Sequence, residues 1–287
     1  MEKFPLAINA NYACHKYGTT EKRTLSEAVK LCRDAGFRYL DINPVTGTAG
    51  WEDDCRRLRE ELDSLGMTAE QTHAPFGRYG NADPAEFAVL IKNMITATAL
   101  VGAKYCVIHA DEYKCGDKPY TSEDAVAYTK EYMTPLVDYA SSLGVTTAFE
   151  NLFEDGYKTR PGERSRCCST VDELLATLEL FNGYKVGVCW DFGHAHVAFG
   201  ANDFMELAKV ADRLVCTHVH DNDRTKDQHL LPYLGNTDWT AQMKVLRDAD
   251  YTGKLSLELV YGRYPDPLMP HFLAYARRTA ETLNEDR

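Results

Sequence analysis

The sequence predicts an α/β protein, a single (β/α)8 (TIM) barrel that occupies residues 1–287 as one domain. Three observations predict it: helix-like segments alternate with short apolar segments, glycines recur at their junctions, and the junctions are spaced for eight units. Alternating strands and helices imply a parallel sheet with right-handed crossovers, and eight such units close naturally into a barrel. No linker or break in composition divides the chain.

The strands are predicted from the junctions, in chain order. The first strand is 6–9, and six others begin directly after a glycine, which ends a helix well because it adopts the left-handed conformation without a Cβ clash. These glycines are Gly36, Gly66, Gly102, Gly144, Gly183 and Gly253. The last interval is about twice a unit, so the missing junction is placed at 212–213, before a strand at 214–217.

The helices between the strands carry start signals. The sequences TLSE at 24–27 and TVDE at 170–173 predict capping boxes, in which a hydroxyl and a carboxylate satisfy orphan amides reciprocally. Asp83 before Pro84 predicts a capping carboxylate at the start of another helix. The longest irregular stretch, 153–169, lies between the fifth strand and its helix, and loops of that length are usually functional.

Composition excludes several classes of protein. The 43 Asp and Glu residues exceed the 32 Lys and Arg residues, and the net charge of −11 disfavours non-specific binding to nucleic acid or to an anionic membrane. The start of the sequence has no long apolar segment and no small-residue cleavage site, so we expect no signal peptide, and no apolar run of about 20 residues is found. The nine cysteines include no C-x-x-C pair, so we expect reduced thiols in a cytoplasmic protein and interpret the adjacent Cys167 and Cys168 as incidental.

Six consecutive predicted strands end in His, Asp or Glu, at the end of the barrel where active sites lie. These residues are His73, His109, Glu150, Asp191 with His194, His218 and Glu258, and Asp227 and His229 follow the seventh strand closely. Converging imidazoles and carboxylates suit a divalent metal ion, zinc or manganese first, with magnesium and cobalt as alternatives. We expect one to three ions. Four other histidines are expected outside this site: His15, His196, His220 and His271.

With these motifs the chain resembles the xylose-isomerase-like TIM-barrel superfamily, which holds sugar and sugar-phosphate isomerases and epimerases and the family-2 AP endonucleases (the endonuclease IV type). The resemblance extends over the whole chain. The matching motifs are Glu150-Asn151, Asp191-x-x-His194, His218 through Asp221, Asp227-x-His229, and Glu258.

The resemblance implies two sets of roles. In the epimerases, residues matching Glu150, Asp191, His218 and Glu258 hold one metal, and the two glutamates are also the acid/base pair. In the endonucleases, three zinc ions are held by residues matching His73, His109 and Glu150; Glu150, Asp191, His218 and Glu258; and His194, Asp227 and His229. All nine positions are filled in this chain.

Three departures from the endonucleases favour a sugar isomerase or epimerase. The chain has DFGH at 191–194 where they have D-T-C-H, HAPFGRY at 73–79 where a Y-L-I-N-L-type segment follows the first histidine, and HVHDND at 218–223 where they have H-x-N-D-S-K. Alternatives are a trinuclear phosphodiesterase, an eliminating lyase or C-glycoside-cleaving relative, and a carbohydrate-binding protein without turnover. The expected partner is a small carbohydrate; nucleic acid and membrane are not expected, and a homo-oligomer is left open.

The predicted reaction is removal of a proton from carbon next to a carbonyl, with Glu150 and Glu258 as acid and base in either order. His194 and Arg224 are candidates for binding substrate hydroxyls. The loop with Lys158, Arg160, Arg164 and Arg166 either binds a phosphate or carboxylate or is simply solvated. The aromatic residues that either wall a sugar pocket or pack in the core or rim are Tyr17, Trp51, Phe76 and Trp190.

Overall fold

A computed structural model describes residues 4–16, 18–78, 82–154, 164–260 and 264–285. Eight parallel strands pair in the order β7-β6-β5-β4-β3-β2-β1-β8. Their bounds are β1 Leu6–Asn9, β2 Tyr39–Asp41, β3 Thr68–His73, β4 Tyr105–Ile108, β5 Thr146–Glu150, β6 Val186–Asp191, β7 Leu214–His218 and β8 Leu255–Leu257. Val219, just after β7, pairs with Leu257 of β8 and donates its N–H to the Ser256 carbonyl at 2.7 Å, which closes the ring. The predicted (β/α)8 barrel is confirmed, and the assignment of all of 1–287 to one domain stays a prediction.

Helices follow the strands and form the outer layer. Within the described ranges the α-helices are α1 Leu25–Asp34, α2 Trp51–Ser64, α3 Pro84–Val101, α4 Ser122–Ser142, α5 Val171–Leu180, α6 Phe192–Phe199, α7 Asp203–Ala208, α8 Trp239–Asp248 and α9 Met269–Glu281. Most of the apolar core lies between these helices and the sheet. A smaller layer inside the barrel, beneath the strand ends, contains Val107, Ala148, Cys189 and Cys216.

The glycine rule is right at five of its six positions. Gly36, Gly66, Gly102, Gly144 and Gly183 have φ between 64° and 96°, the left-handed conformation that ends a helix. Gly253 does not have a positive φ. A Cβ at Gly253 would lie 2.1 Å from the Tyr251 hydroxyl, so glycine is needed there for close packing, and Asp250 takes the positive φ of 51° after α8.

Two of the three predicted helix starts are confirmed in full. Thr24 and Glu27 form both bonds of a capping box, and the Asp83 side chain accepts from the Ala85 N–H at 2.8 Å. The box predicted at 170–173 is wrong in one half. Thr170 accepts from the Glu173 N–H, but the Glu173 carboxylate turns to Tyr120, Arg164 and the Cys168 N–H instead.

One described helix, α3, is long and apolar enough to cross a membrane by length and composition. It packs between α2 and α4 and against β3 and β4, and this position in the barrel explains its apolar sequence. All nine cysteines are free thiols, and the Sγ atoms of the buried Cys167 and Cys168 lie 4.0 Å apart.

Candidate functional site

The structure brings all nine predicted ligand residues to the carboxyl end of the barrel. His73, Glu150, Asp191 and His218 are the last residues of β3, β5, β6 and β7. Because the carboxyl ends of parallel strands all lie at the same end of a barrel, residues at the strand ends are brought close together. The other five follow a strand or lie in α6 or the loop after β7: His109, His194, Asp227, His229 and Glu258.

Glu150 is the centre of this cluster and is 1% exposed. Its Oε2 lies 3.0 Å from His73 Nε2 and 2.8 Å from His109 Nε2, and its Oε1 lies 2.8 Å from His218 Nδ1. Burial raises the pKa of Glu150, but His218 and His109 outweigh it and hold this pKa well below its usual value. Glu150 is therefore an anion that three imidazoles surround.

A second group surrounds Asp227, whose Oδ2 lies 2.8 Å from His229 Nε2 and 3.6 Å from His194 Nε2. Burial lowers the pKa of both histidines, but neighbouring carboxylates outweigh it. Asp191 and Asp227 act on His194, and Asp227 is the main carboxylate acting on His229. They raise the pKa of His194 to about 10 and that of His229 to about 9. His194 Nδ1 also lies 3.5 Å from Glu150 Oε1, so this ring joins the two groups.

His220 lies inside the cluster, and the expectation that it lies outside is wrong. The ring is fully buried, its Nε2 lies 3.1 Å from an Asp191 carboxylate oxygen, and it stacks on His229 with the centroids 4.1 Å apart. Side chains two apart on a strand point to the same face, so His220 follows His218 toward the site. Strand periodicity could therefore have found it.

Of two further polar residues at strand ends, Asp41 was missed and Asn151 was quoted in a motif without a role. Asp41, the last residue of β2, is fully buried with its Oδ2 3.4 Å from His218 Nε2. Asn151 follows β5, accepts from the Asp191 N–H at 2.7 Å and donates to the Asp191 carbonyl at 2.8 Å. The rule that found the other ligands, a polar residue at a strand end, applies equally to Asp41.

The donor set fits a divalent metal ion. Within the described part of the chain, several buried polar atoms of the cluster have no hydrogen-bond partner: Asp41 Oδ1, His109 Nδ1, His218 Nε2, His220 Nδ1 and Asp227 Oδ1. Such atoms are costly unless a ligand or ion satisfies them. Ligand atoms within 4.8 Å of one another occur in several triads, including His73 with His109 and Glu150, and Asp191 with His218 and Glu258. Imidazole and carboxylate ligands are those that zinc and manganese accept.

A cavity of about 500 Å³ opens beside the cluster, and Glu258 and His73 line it. The Tyr12 hydroxyl lies at the same wall, 3.5 Å from Glu258 Oε1. Burial, followed by the charge of Glu258, raises the pKa of Tyr12, which therefore stays a hydrogen-bond donor at neutral pH. The cluster thus has an open side on which a small molecule can meet Glu258.

A family model described as xylose isomerase-like TIM barrel matches residues 29–282. The chain belongs to this family. The protein y4fM of Sinorhizobium fredii is 27% identical over 282 residues, 85% of each chain. A structure of L-ribulose 3-epimerase superposes with a TM-score of 0.76 at 16% identity, covering 97% of this chain and 94% of that one. The IOLI protein, solved with a bound zinc atom, gives a TM-score of 0.75 at 17% identity and 98% coverage of both chains.

Some predicted site residues of this xylose isomerase-like barrel lie away from the cluster. Arg224 is exposed, and its Nε donates to Asn236 Oδ1 at 3.3 Å. Asn236 also accepts from His196, which lies outside the cluster as expected and pairs with Asp203. The role of Arg224 toward a substrate stays a prediction.

The predicted residues of the basic loop and of the aromatic wall likewise include some that lie away from the cluster. Arg164 pairs with Glu173, and Arg166 pairs with Asp111 at 2.9 Å, so these two cations serve the loop itself. Trp190 is fully buried in the core, Trp51 is half-buried at the start of α2, and Phe76 is 55% exposed with its ring 4.6 Å from that of His109. Lys158, Arg160, Tyr17 and Tyr79 lie outside the described residues.

Proposed function

We propose that this protein is a metal-dependent sugar isomerase or epimerase. The observation that carries the proposal is the placement of two glutamates about one imidazole: His218 Nδ1 lies 2.8 Å from Glu150 Oε1 and 3.5 Å from Glu258 Oε2. Glu258 also lines the cavity, so a bound sugar meets this carboxylate directly. The structures similar in fold include an L-ribulose 3-epimerase and a D-tagatose 3-epimerase-like protein, which agrees with this class of reaction.

The residues proposed to hold the principal metal ion are Glu150, Asp191, His218 and Glu258. Held there, a divalent cation would polarise the carbonyl and hydroxyl oxygens of a sugar and so would favour loss of the neighbouring C–H proton. Zinc or manganese suits the mixed imidazole and carboxylate set best, with magnesium and cobalt as alternatives. The Asp227 group is the proposed place for any additional ion.

The chain itself supplies binding and proton transfer. Glu258, with 13% of its side chain exposed, takes the proton from the substrate carbon, while the Tyr12 hydroxyl orients its Oε1. Glu150 is the proposed partner that returns a proton. It is an anion in the metal-free protein, so it first receives this proton from the His73 imidazole, whose Nε2 lies 3.0 Å from its Oε2, and the proton held by Glu258 then passes to solvent. Return to the same carbon from the opposite face gives the epimer, and return to the neighbouring carbon gives the isomer. His194 is proposed to hydrogen-bond a substrate hydroxyl.

Solvent deuterium tests this proposal. Protein loaded with Zn²⁺ or Mn²⁺ is incubated in D2O with a panel of ketoses and aldoses, and the products are analysed by mass spectrometry. We expect one deuterium on carbon in the product and a loss of about 10²- to 10⁴-fold in rate for Glu150→Gln and Glu258→Gln. Glu131→Gln, at an exposed position of α4, is the matched control. Full activity in either site variant contradicts the acid/base assignment.

One observation favours a second candidate, a phosphodiesterase with three metal ions: all nine candidate ligands lie in one cluster. Metal analysis of purified protein and an assay on duplex DNA with an abasic site distinguish the two candidates. One ion per chain with intact DNA supports the isomerase or epimerase, and three ions with cleaved DNA support the phosphodiesterase.

A further inference from the structure

We infer that the cavity beside Glu258 binds an uncharged sugar that carries an apolar substituent, with the sugar at Glu258 and the substituent against Leu90 and Met94. The inference rests on the proposed function, because it takes the reacting sugar to lie at the two glutamates. It names a substrate class for that function. Four features of the cavity carry it: a polar end, an apolar end, the volume and the charge.

The polar end is built from asparagines that join the loops after β1, β2 and β3. Asn11 and Asn43 exchange two hydrogen bonds of 2.7 Å, and Asn43 Oδ1 accepts from the His73 N–H at 2.6 Å. The bonds with Asn11 fix the Asn43 backbone, and the bond from His73 fixes its side-chain amide, whose Nδ2 has no hydrogen-bond partner among the described residues. A fixed amide donor that lines the same cavity as Glu258 and Tyr12 suits the hydroxyl groups of a sugar.

The apolar end is formed by α3 and by the loops after β2 and β3, and its Phe76 ring reaches the cluster, 4.6 Å from the ring of His109. Leu90 and Met94, one turn apart on α3, form one side of it, and Pro44 and Pro75 come from the loops after β2 and β3. Phe76 stands at the rim with 55% of its surface exposed. A sugar alone has little apolar surface to place against these side chains, whereas a substituent such as an aryl group removes apolar surface from water on both partners.

The volume admits a ligand larger than one sugar. The cavity measures about 500 Å³, which is within the range of cavities that enclose drug-sized ligands.

The charge of the cavity disfavours a phosphorylated sugar. Its described lining includes Glu258 but no lysine or arginine. Nearby arginines are already paired with acids, Arg78 with Glu112 at 3.0 Å and Arg166 with Asp111 at 2.9 Å. Among the described lining residues, a phosphate group would thus meet the Glu258 carboxylate with His15 and His73 as the only basic side chains, without the arginine or lysine that phosphate sites commonly use.

Equilibrium binding to the Zn²⁺-loaded protein tests the inference without requiring turnover. The probes are phenyl and methyl β-glycosides of D-glucose and D-galactose, with D-glucose 6-phosphate as the charged probe. For at least one of the two sugars we expect the phenyl glycoside to bind at least about tenfold more tightly than the methyl glycoside, and the phosphate to bind more weakly than either. Phe76→Ala, at an exposed rim position, and Leu90→Ala should reduce that ratio to about threefold or less.

Val89→Ala is the matched control, because Val89 precedes Leu90 on α3 but is 55% exposed and does not line the cavity. It should leave the ratio unchanged. The inference is overturned if, for both sugars, phenyl and methyl glycosides bind equally or neither binds at about 20 mM, or if both cavity variants keep the wild-type ratio. Tighter binding of the phosphate overturns the assignment of an uncharged sugar.

The two proposals can fail separately. Tight phenyl glycoside binding by a protein that exchanges deuterium neither into free sugars nor into sugars that carry both a carbonyl and an apolar substituent contradicts only the isomerase or epimerase. Deuterium incorporation into free sugars, together with equal binding of both glycosides, contradicts only the substrate class.

Discussion

At the scale of single residues, Asp221 holds the loop that carries Asp227 and His229. Its fully buried carboxylate accepts five hydrogen bonds of 2.7–3.2 Å. The donors are the N–H groups of Asn222, Tyr233 and Thr237, the Thr237 hydroxyl and the Trp239 indole. Asp221→Ala leaves these donors without a partner, so we expect the free energy of unfolding to fall by about 3–5 kcal/mol, measured by urea denaturation.

The control for Asp221 is Asp223→Ala, because Asp223 lies in the same loop but is exposed to solvent. Its denaturation midpoint should stay near that of the wild type. A loss of less than about 1 kcal/mol in Asp221→Ala would show that the loop does not depend on this carboxylate.

Residues also show where sequence reasoning ends. Strand ends predicted Glu150, Asp191 and His218 together, because chain position alone decides which end of a parallel sheet a residue occupies. The same reasoning could have found Asp41 and His220. It could not have found that Arg224 turns to Asn236, since a long side chain in a loop follows partners that are distant in sequence.

At the scale of elements, Glu173 joins α5 to the segment before α4 and to the loop after β5. This carboxylate is 3% exposed and accepts from the Tyr120 hydroxyl at 3.0 Å, from the Cys168 N–H at 3.1 Å and from Arg164. Glu173→Gln removes the charge that faces Arg164, a side chain that is 32% exposed and, among the described residues, keeps only Glu154 at 4.0 Å as a carboxylate partner, so we expect a loss of about 1–3 kcal/mol in the free energy of unfolding.

Glu27→Gln is the comparison for Glu173, because Glu27 is the corresponding residue of the α1 capping box and is exposed. Urea denaturation should show a clearly smaller loss for Glu27→Gln. Equal losses would indicate that the buried contacts of the Glu173 carboxylate contribute no more to stability than an exposed capping carboxylate does.

The same two boxes explain what local sequence can predict. Both have the pattern Thr-x-x-Glu, and each threonine caps its helix as predicted. The glutamate differs because its alternatives differ: Glu27 faces solvent, whereas Glu173 meets Arg164 and Tyr120, which lie 9 and 53 positions away in the chain. The local sequence determines where the helix starts, and tertiary contacts decide whether the glutamate also makes the second bond of the capping box.

At the scale of the whole molecule, the barrel could be predicted because the strand–helix unit recurs eight times, so a wrong assignment at one junction does not change the predicted fold. Gly253 fails as a left-handed helix end, yet the strand after it is where the repeat places it. One unit can deviate without changing the count of eight, and the count decides the closure of the sheet. The cavity was not predictable, since its walls come from several separate loops and from α3.

The paired imidazoles and carboxylates of the site should make the stabilisation of the protein by a bound metal ion depend on pH. Without metal, the pKa values of about 10 for His194 and about 9 for His229 keep both rings protonated at neutral pH. Their pairing with carboxylates stabilises the metal-free protein fully below about pH 6.5, the usual imidazole pKa, and this stabilisation is lost as pH rises through 9 to 10. Cation binding needs neutral imidazoles, so it displaces protons and strengthens with pH.

We therefore expect the difference in Tm between Zn²⁺-loaded and EDTA-treated protein to grow from pH 6.5 to 8.5, measured by calorimetry. His271→Ala, at an exposed position of α9, should show the same growth. A difference that is constant or shrinks with pH would mean that these imidazoles do not compete with the metal.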